Sequence, residues 1–116
     1  MAARAGAVRA GAVLARMVLT CVALAGPALA SDVEAGRTKA QACAVCHGAL
    51  GISSAPDAPH LAGQPALYLA TQLRAYRNGT RKHEVMAVMA KPLSDDDIHN
   101  LAAWFAALRI EASAPR

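Results

Sequence analysis

The sequence predicts an all-α domain of three to five short helices. Apolar residues recur at helical spacing in two stretches of its second half, and a glycine- and proline-rich segment precedes the first of them. After residue 30, no stretch alternates apolar and polar residues as a half-buried strand would. These observations together favour a small helical domain over any sheet-containing architecture.

The first helix is expected to start at Ser31 or Asp32, either of which can cap it, and to run to about Ala44. The next segment, Gly48 to Gly63, is rich in glycine, proline and serine, so a loop is predicted there.

A middle helix is predicted from Pro65, a residue well suited to the first helical position. Leu69, Leu73 and Tyr76 then share one helical face, and the Asn78-Gly79 pair ends the helix.

The last helix is expected to begin with a capping box, because Ser94 precedes Asp97 by three residues. The acidic residues of this first turn complement the positive end of the helix. The helix should reach about Arg109 and bury Ile98, Leu101, Phe105 and Leu108.

Residues 1–30 have the layout of a cleavable secretory signal peptide. Three arginines precede an apolar run at Met17 to Ala25, and Ala28 to Ala30 provides small residues for cleavage. A membrane anchor is disfavoured because the run is shorter than the roughly 20 residues that a span needs. A lipoprotein is disfavoured because Thr20 precedes Cys21, at a position where a lipoprotein would have a small Gly, Ala or Ser. We therefore expect a mature domain at 31–116, with its core at about 36–109, exported to the periplasm.

The expected mature domain is nearly neutral, since three of the 12 basic residues and none of the 8 acidic ones lie in the leader. A basic excess typical of nucleic-acid binding is therefore missing. The domain is also short, with many alanines and only four aromatic residues. Such a chain buries little surface by itself. We expect a large apolar cofactor to complete the core.

Cys43, Cys46 and His47 form a C-x-x-C-H motif, the pattern of covalent haem c attachment. Two thiols at this spacing can reach both vinyl groups of one porphyrin edge, and the histidine that follows can bind the iron. A thiol–disulfide oxidoreductase would need a βαβ context. A zinc site would need a second pair of ligands, which Cys21 cannot provide once the leader is removed.

A second axial ligand is expected from Met86 or Met89, which follow the middle helix and can approach the opposite face of the haem. Methionine is also a common core residue. The residues alone do not separate the two candidates. His60, His83 and His99 are less favoured alternatives, because histidines are commonly surface residues.

The chain resembles the small class I cytochromes c, in particular the monohaem c-553 type and one domain of the dihaem c4 type. The matching residues are Cys43 to Gly48, Pro59 to Gln64, Tyr68-Leu69, Gln72-Leu73, Met86 to Ala90, Leu93 to Ile98 and Leu101 to Phe105. The sequence contains a single haem motif, so we expect a monohaem rather than a dihaem protein.

This resemblance implies a class I cytochrome c fold around one haem, with His47 and Met86 as axial ligands. It also implies that the Pro59 carbonyl accepts a hydrogen bond from His47, which orients the imidazole. His60 stands where the family usually has lysine, a charge that would face the redox partner.

The function expected from these features is single-electron transfer in the periplasm by a His/Met-ligated haem, without enzymatic activity. The expected partners are redox proteins such as a membrane oxidase, a cytochrome complex or a dehydrogenase, met by a monomeric carrier without nucleic-acid binding. A basic cluster, Arg74, Arg77, Arg81 and Lys82, is either a docking surface or an ordinary solvated helix face. The alternatives are a haem subunit of a larger oxidoreductase and, less favoured, a haem enzyme or sensor with an open iron position.

Overall fold

The computed structural model describes residues 31–116, and the predicted signal peptide lies outside the described residues. These residues form five α-helices and no strand, which confirms the all-α prediction. The helices are α1 (Val33–Lys39), α2 (Ala44–His47), α3 (Ala66–Asn78), α4 (Glu84–Ala90) and α5 (Asp95–Ala107), with a 3₁₀ turn at Ala40–Ala42.

The N-terminal helix is shorter than expected, because α1 ends at Lys39 and the chain tightens into the 3₁₀ turn before α2. Asp32 provides the cap, and its carboxylate accepts hydrogen bonds from the amides of Glu34 and Ala35 at 2.9 and 3.0 Å. The chain between Asp32 and His47 is therefore three short helical pieces rather than one helix.

The other predicted boundaries are close to the observed ones. Pro65 is the N-cap of α3 rather than its first residue, because its ψ of 132° is extended. Gly79 ends the helix with a φ of 82°, a left-handed conformation that favours glycine. The capping box is present: Ser94 accepts from the Asp97 amide, and the Asp97 carboxylate accepts from the Ser94 amide, both at 3.0 Å. Helix α5 ends at Ala107, two residues before the predicted Arg109.

Helix α5 is central to the packing, since both α1 and α3 lie against it and α4 lies against α3. The buried core residues from these helices are Ala40, Leu69, Ala70, Ile98, Leu101, Ala102 and Phe105. Gly36 permits the close approach of α1 to α5, because a Cβ there would collide with the backbone carbonyl of Asn100 and would press on Trp104. This arrangement places α2 and α4 at the edge of a small core.

Among residues 31–116, no helix has the length and apolar character needed to cross a membrane.

Candidate haem-binding site

The C-x-x-C-H motif lies on the short helix α2. Cys43 caps this helix, and its carbonyl accepts hydrogen bonds from the amides of Cys46 and His47 at 3.3 and 3.0 Å. Residues three apart in a helical turn lie on the same face. The local helix therefore brings the two thiols to one side of the motif, as attachment to one porphyrin edge requires.

His47 is the one buried polar side chain of the described residues, with 8% of its surface exposed. Its Nδ1 lies 2.8 Å from the backbone oxygen of Pro59. Because a carbonyl oxygen can only accept, Nδ1 is the donor of this bond, and Nε2 is the ring nitrogen left for a ligand. A hydrogen bond of this kind fixes the tautomer and the orientation of a ligating imidazole.

The loop that carries Pro59 is folded back onto the motif by short hydrogen bonds. The Gly51 carbonyl accepts from the amides of Leu61 and Ala62 at 2.7 and 3.1 Å. Ser53 donates from its hydroxyl to the Cys46 carbonyl at 2.8 Å. Its amide donates to His60 Nδ1, also at 2.8 Å. The loop thus forms one side of the site, and His60 stabilises the loop from its exposed surface.

An apolar cavity joins the motif to the methionine segment. It is lined by Lys39, Ala42, Cys43, Leu73, Met86, Met89, Leu93 and Leu101. Burial raises the pKa of the Cys43 thiol, whereas Cys46 is exposed. Met86 is half-buried, and Met89 is 39% exposed. Both methionines therefore line the same cavity as Cys43, so the cavity does not show which of them is the second iron ligand.

The donor set fits a covalently attached haem. Two cysteines three residues apart on one short helix, an imidazole oriented through its Nδ1 and a thioether on the same apolar cavity as Cys43 are the groups that a c-type haem needs. The described residues hold no group of three or more His, Cys, Asp or Glu side chains that could bind a metal ion among themselves.

His99 and two arginines of the basic cluster, Arg74 and Arg77, take part in contacts between helices. His99 on α5 lies 2.6 Å from the Arg74 guanidinium on α3. Arg77 donates to the Leu93 carbonyl and to Asp95 at 2.9 and 2.6 Å. The Arg77 hydrogen bond and charge lower the pKa of Asp95. These two arginines therefore tie α3 to α5 and its preceding turn, in addition to any role in docking.

Helix α4 was missed by the sequence reasoning, which treated residues 86–89 only as a source of an iron ligand. Its N-cap is His83, whose Nδ1 accepts a hydrogen bond from the Met86 amide at 3.2 Å. Histidine is an uncommon N-cap. The one available signal was the acidic Glu84 in the first turn, which is too weak to predict a seven-residue helix.

The helical fold and the haem motif define a small c-type haem protein. The family model for cytochrome c matches residues 33–109, so the chain belongs to the cytochrome c family.

Its relatives include both short and longer proteins. It is 44% identical over 79 residues to cytochrome c-554(548) of Halomonas halodenitrificans, covering 66% of this chain and 95% of that protein. The crystal structure of cytochrome c4 from Pseudomonas stutzeri superimposes with a TM-score of 0.65 at 40% identity, covering 69% of this chain and 47% of the other. A thiosulfate dehydrogenase electron acceptor from Thiomonas intermedia is 44% identical over 72 residues, 61% of this chain and 33% of that protein.

The chain thus spans nearly all of the short relative and less than half of the two longer ones. Like one domain of the c4 type, it is a class I c-type cytochrome that transfers electrons through haem c bound covalently at Cys43 and Cys46.

Proposed function

We propose that the chain is a monohaem electron carrier of the periplasm whose iron is bound by His47 and Met86. The bond from His47 Nδ1 to the Pro59 carbonyl is the observation that carries this proposal. It holds the ring in the tautomer that a ligand needs and leaves Nε2 free. When bound, haem c provides an iron that takes up and releases one electron.

Each residue of the site has a separate task in this proposal. Cys43 and Cys46 would hold the cofactor, and His47 on α2 would provide one iron ligand. Met86 on α4, which lines the apolar cavity together with Cys43, would provide the other. A site closed on both sides favours electron transfer over substrate binding, and a thioether ligand raises the reduction potential.

Spectra of the exported holoprotein test the closed site directly. We expect the reduced protein to keep its spectrum under carbon monoxide, because neither axial position is open. A rapid, complete shift under carbon monoxide would instead support the haem enzyme or sensor.

The proposed mature protein is the single domain of residues 31–116, released by cleavage after Ala30. The sequence pattern of residues 1–30 supports this proposal. The mass and the first residues of haem-containing protein from the periplasmic fraction test it. A mature chain that begins with Met1 and sediments with membranes would contradict it.

A second candidate is a haem subunit of a larger oxidoreductase. It is favoured by the similarity to the Thiomonas intermedia protein, whose name describes an electron acceptor of thiosulfate dehydrogenase. Purification at low salt separates the candidates: a free carrier elutes as a monomer with no bound nucleic acid, whereas a subunit elutes with a dehydrogenase. Reduction by such an enzyme upon addition of thiosulfate would identify the electron donor.

A further inference from the structure

The amide that His83 caps belongs to Met86, the proposed iron ligand. His83 has extended backbone dihedrals, and its Nδ1 accepts from Met86 N at 3.2 Å, so the first turn of α4 is closed by this bond. The backbone of Met86 is thereby held at the point from which its side chain reaches the cavity.

The ring of His83 is itself held against α3. It meets the Tyr76 ring edge-on, with centroids 6.3 Å apart and planes at 77°. The Arg81 guanidinium covers the same tyrosine at 4.6 Å and donates to Gln72 at 2.5 Å. The Arg81 amide also donates to the Ala75 carbonyl at 3.0 Å. Helix α3 therefore fixes both the connection between the helices and the capping histidine.

We infer that His83, held by Tyr76 and Arg81, is a positioning residue that keeps Met86 on the iron. This inference rests on the proposed His47/Met86 ligation. It follows from the short length of α4, because a seven-residue helix has little stability of its own and depends on its cap and its packing.

The expected effect is on the balance between closed and open forms of the site. An added ligand such as imidazole can bind the ferric iron only after Met86 has left. We expect this departure to fray the first turn of α4, because the Met86 amide is the group that His83 caps. The cap stabilises the closed form alone, and its loss shifts the balance toward the open form. An N-cap is worth a factor of about five in such an equilibrium.

Imidazole titration of the ferric holoprotein tests the inference. We expect His83→Ala to bind imidazole about fivefold more tightly than the original protein. His83→Asp should bind within about twofold of the original, because aspartate is a preferred N-cap. Tyr76→Leu should tighten binding about twofold, through loss of the ring contact. Lys82→Ala, the control, alters the exposed residue next to His83 and should change nothing.

Two results would contradict the inference as a whole, and a third would contradict the role of the ring contact. A His83→Ala protein that loses stability to denaturant but keeps its imidazole affinity would show a purely structural role. Equal affinities in His83→Ala and His83→Asp would show that the cap is not the cause. An unchanged Tyr76→Leu affinity would overturn the role of the ring contact.

Met86→Ala separates this inference from the proposed ligation. If that variant keeps the ferric–thioether charge-transfer band, the ligation is wrong. If the band is lost in Met86→Ala while His83→Ala leaves the imidazole affinity unchanged, the ligation stands and the positioning role falls.

Discussion

Lys39 Nζ lies 2.9 Å from the Asp97 carboxylate, so an ion pair joins the last residue of α1 to the first turn of α5. The same carboxylate completes the capping box with Ser94. One side chain thus stabilises both the start of α5 and its contact with α1, the two helices whose packing depends on Gly36.

Asp97 should make the stability of the holoprotein depend on acid pH. The hydrogen bond from Lys39, followed by that from the Ser94 amide, lowers the pKa of this carboxyl. A carboxyl with a lowered folded-state pKa contributes stability above its unfolded pKa of about 4, and this contribution is lost as the pH falls through the folded value. We expect Asp97→Asn to cost about 1 kcal/mol of unfolding free energy at neutral pH, and progressively less in acid.

Denaturant unfolding at a series of pH values measures this difference, with Asp96→Asn as the control in the same turn. If the difference in unfolding free energy between Asp97→Asn and the original protein stays the same from neutral pH down to strong acid, the ion pair and cap do not contribute as described.

The two cysteines should be needed for covalent haem. Cys43→Ala or Cys46→Ala should weaken or abolish attachment, and the double change should give a largely unfolded chain without haem, because the small core then lacks its main apolar group. Val45→Ala is the matched control, since Val45 lies between the cysteines and is 87% exposed. Acid–acetone extraction of the native protein reports on the bond: complete removal of haem would contradict thioether attachment.

Met86 and Met89 should differ in their effect on the iron. Met86→Ala should remove the ferric–thioether charge-transfer band and lower the reduction potential, because the soft sulfur that favours ferrous iron is gone. Met89→Ala should keep the band and cost about 1–2 kcal/mol of stability, since its side chain is 39% exposed and fills the cavity only in part. Visible spectra and redox titration of both variants decide the matter, and the reverse pattern would assign the ligand to Met89.

Gly51 should be essential to the loop that carries Pro59. Its φ is 70°, and a Cβ there would lie 2.9 Å from both the Ala62 amide nitrogen and the Phe105 ring. We expect Gly51→Ala to cost about 2–4 kcal/mol of unfolding free energy, by backbone strain and by these collisions.

Gly79→Ala provides the control, because Gly79 has a φ of 82° with nothing near its missing Cβ. It should cost only about 1–2 kcal/mol, the strain alone. Equal losses in the two variants, measured by denaturant unfolding, would show that the contacts at Gly51 relax without cost.

Much of this protein follows from local features of its sequence. The haem motif was evident because attachment depends on three residues within five positions, and the capping box and the Gly79 stop depend on single turns. The proximity of the Pro59 carbonyl to His47 was expected only from family resemblance, since no local pattern specifies a contact across twelve positions of loop.

Tertiary structure decided the features that depend on residues far apart in sequence. Helix α4 is too short to be stable by its own propensity, and it depends on packing against α3 and on its cap, His83, which is held against Tyr76 of α3. The cavity shared by Cys43 and the two methionines, like the contact of Gly36 with Asn100, forms only when α1, α3 and α5 pack together. The local sequence thus determines which residue types form the haem site. The shape of the site depends on packing between helices that are far apart in the sequence, and the spacing of nearby residues does not specify that packing.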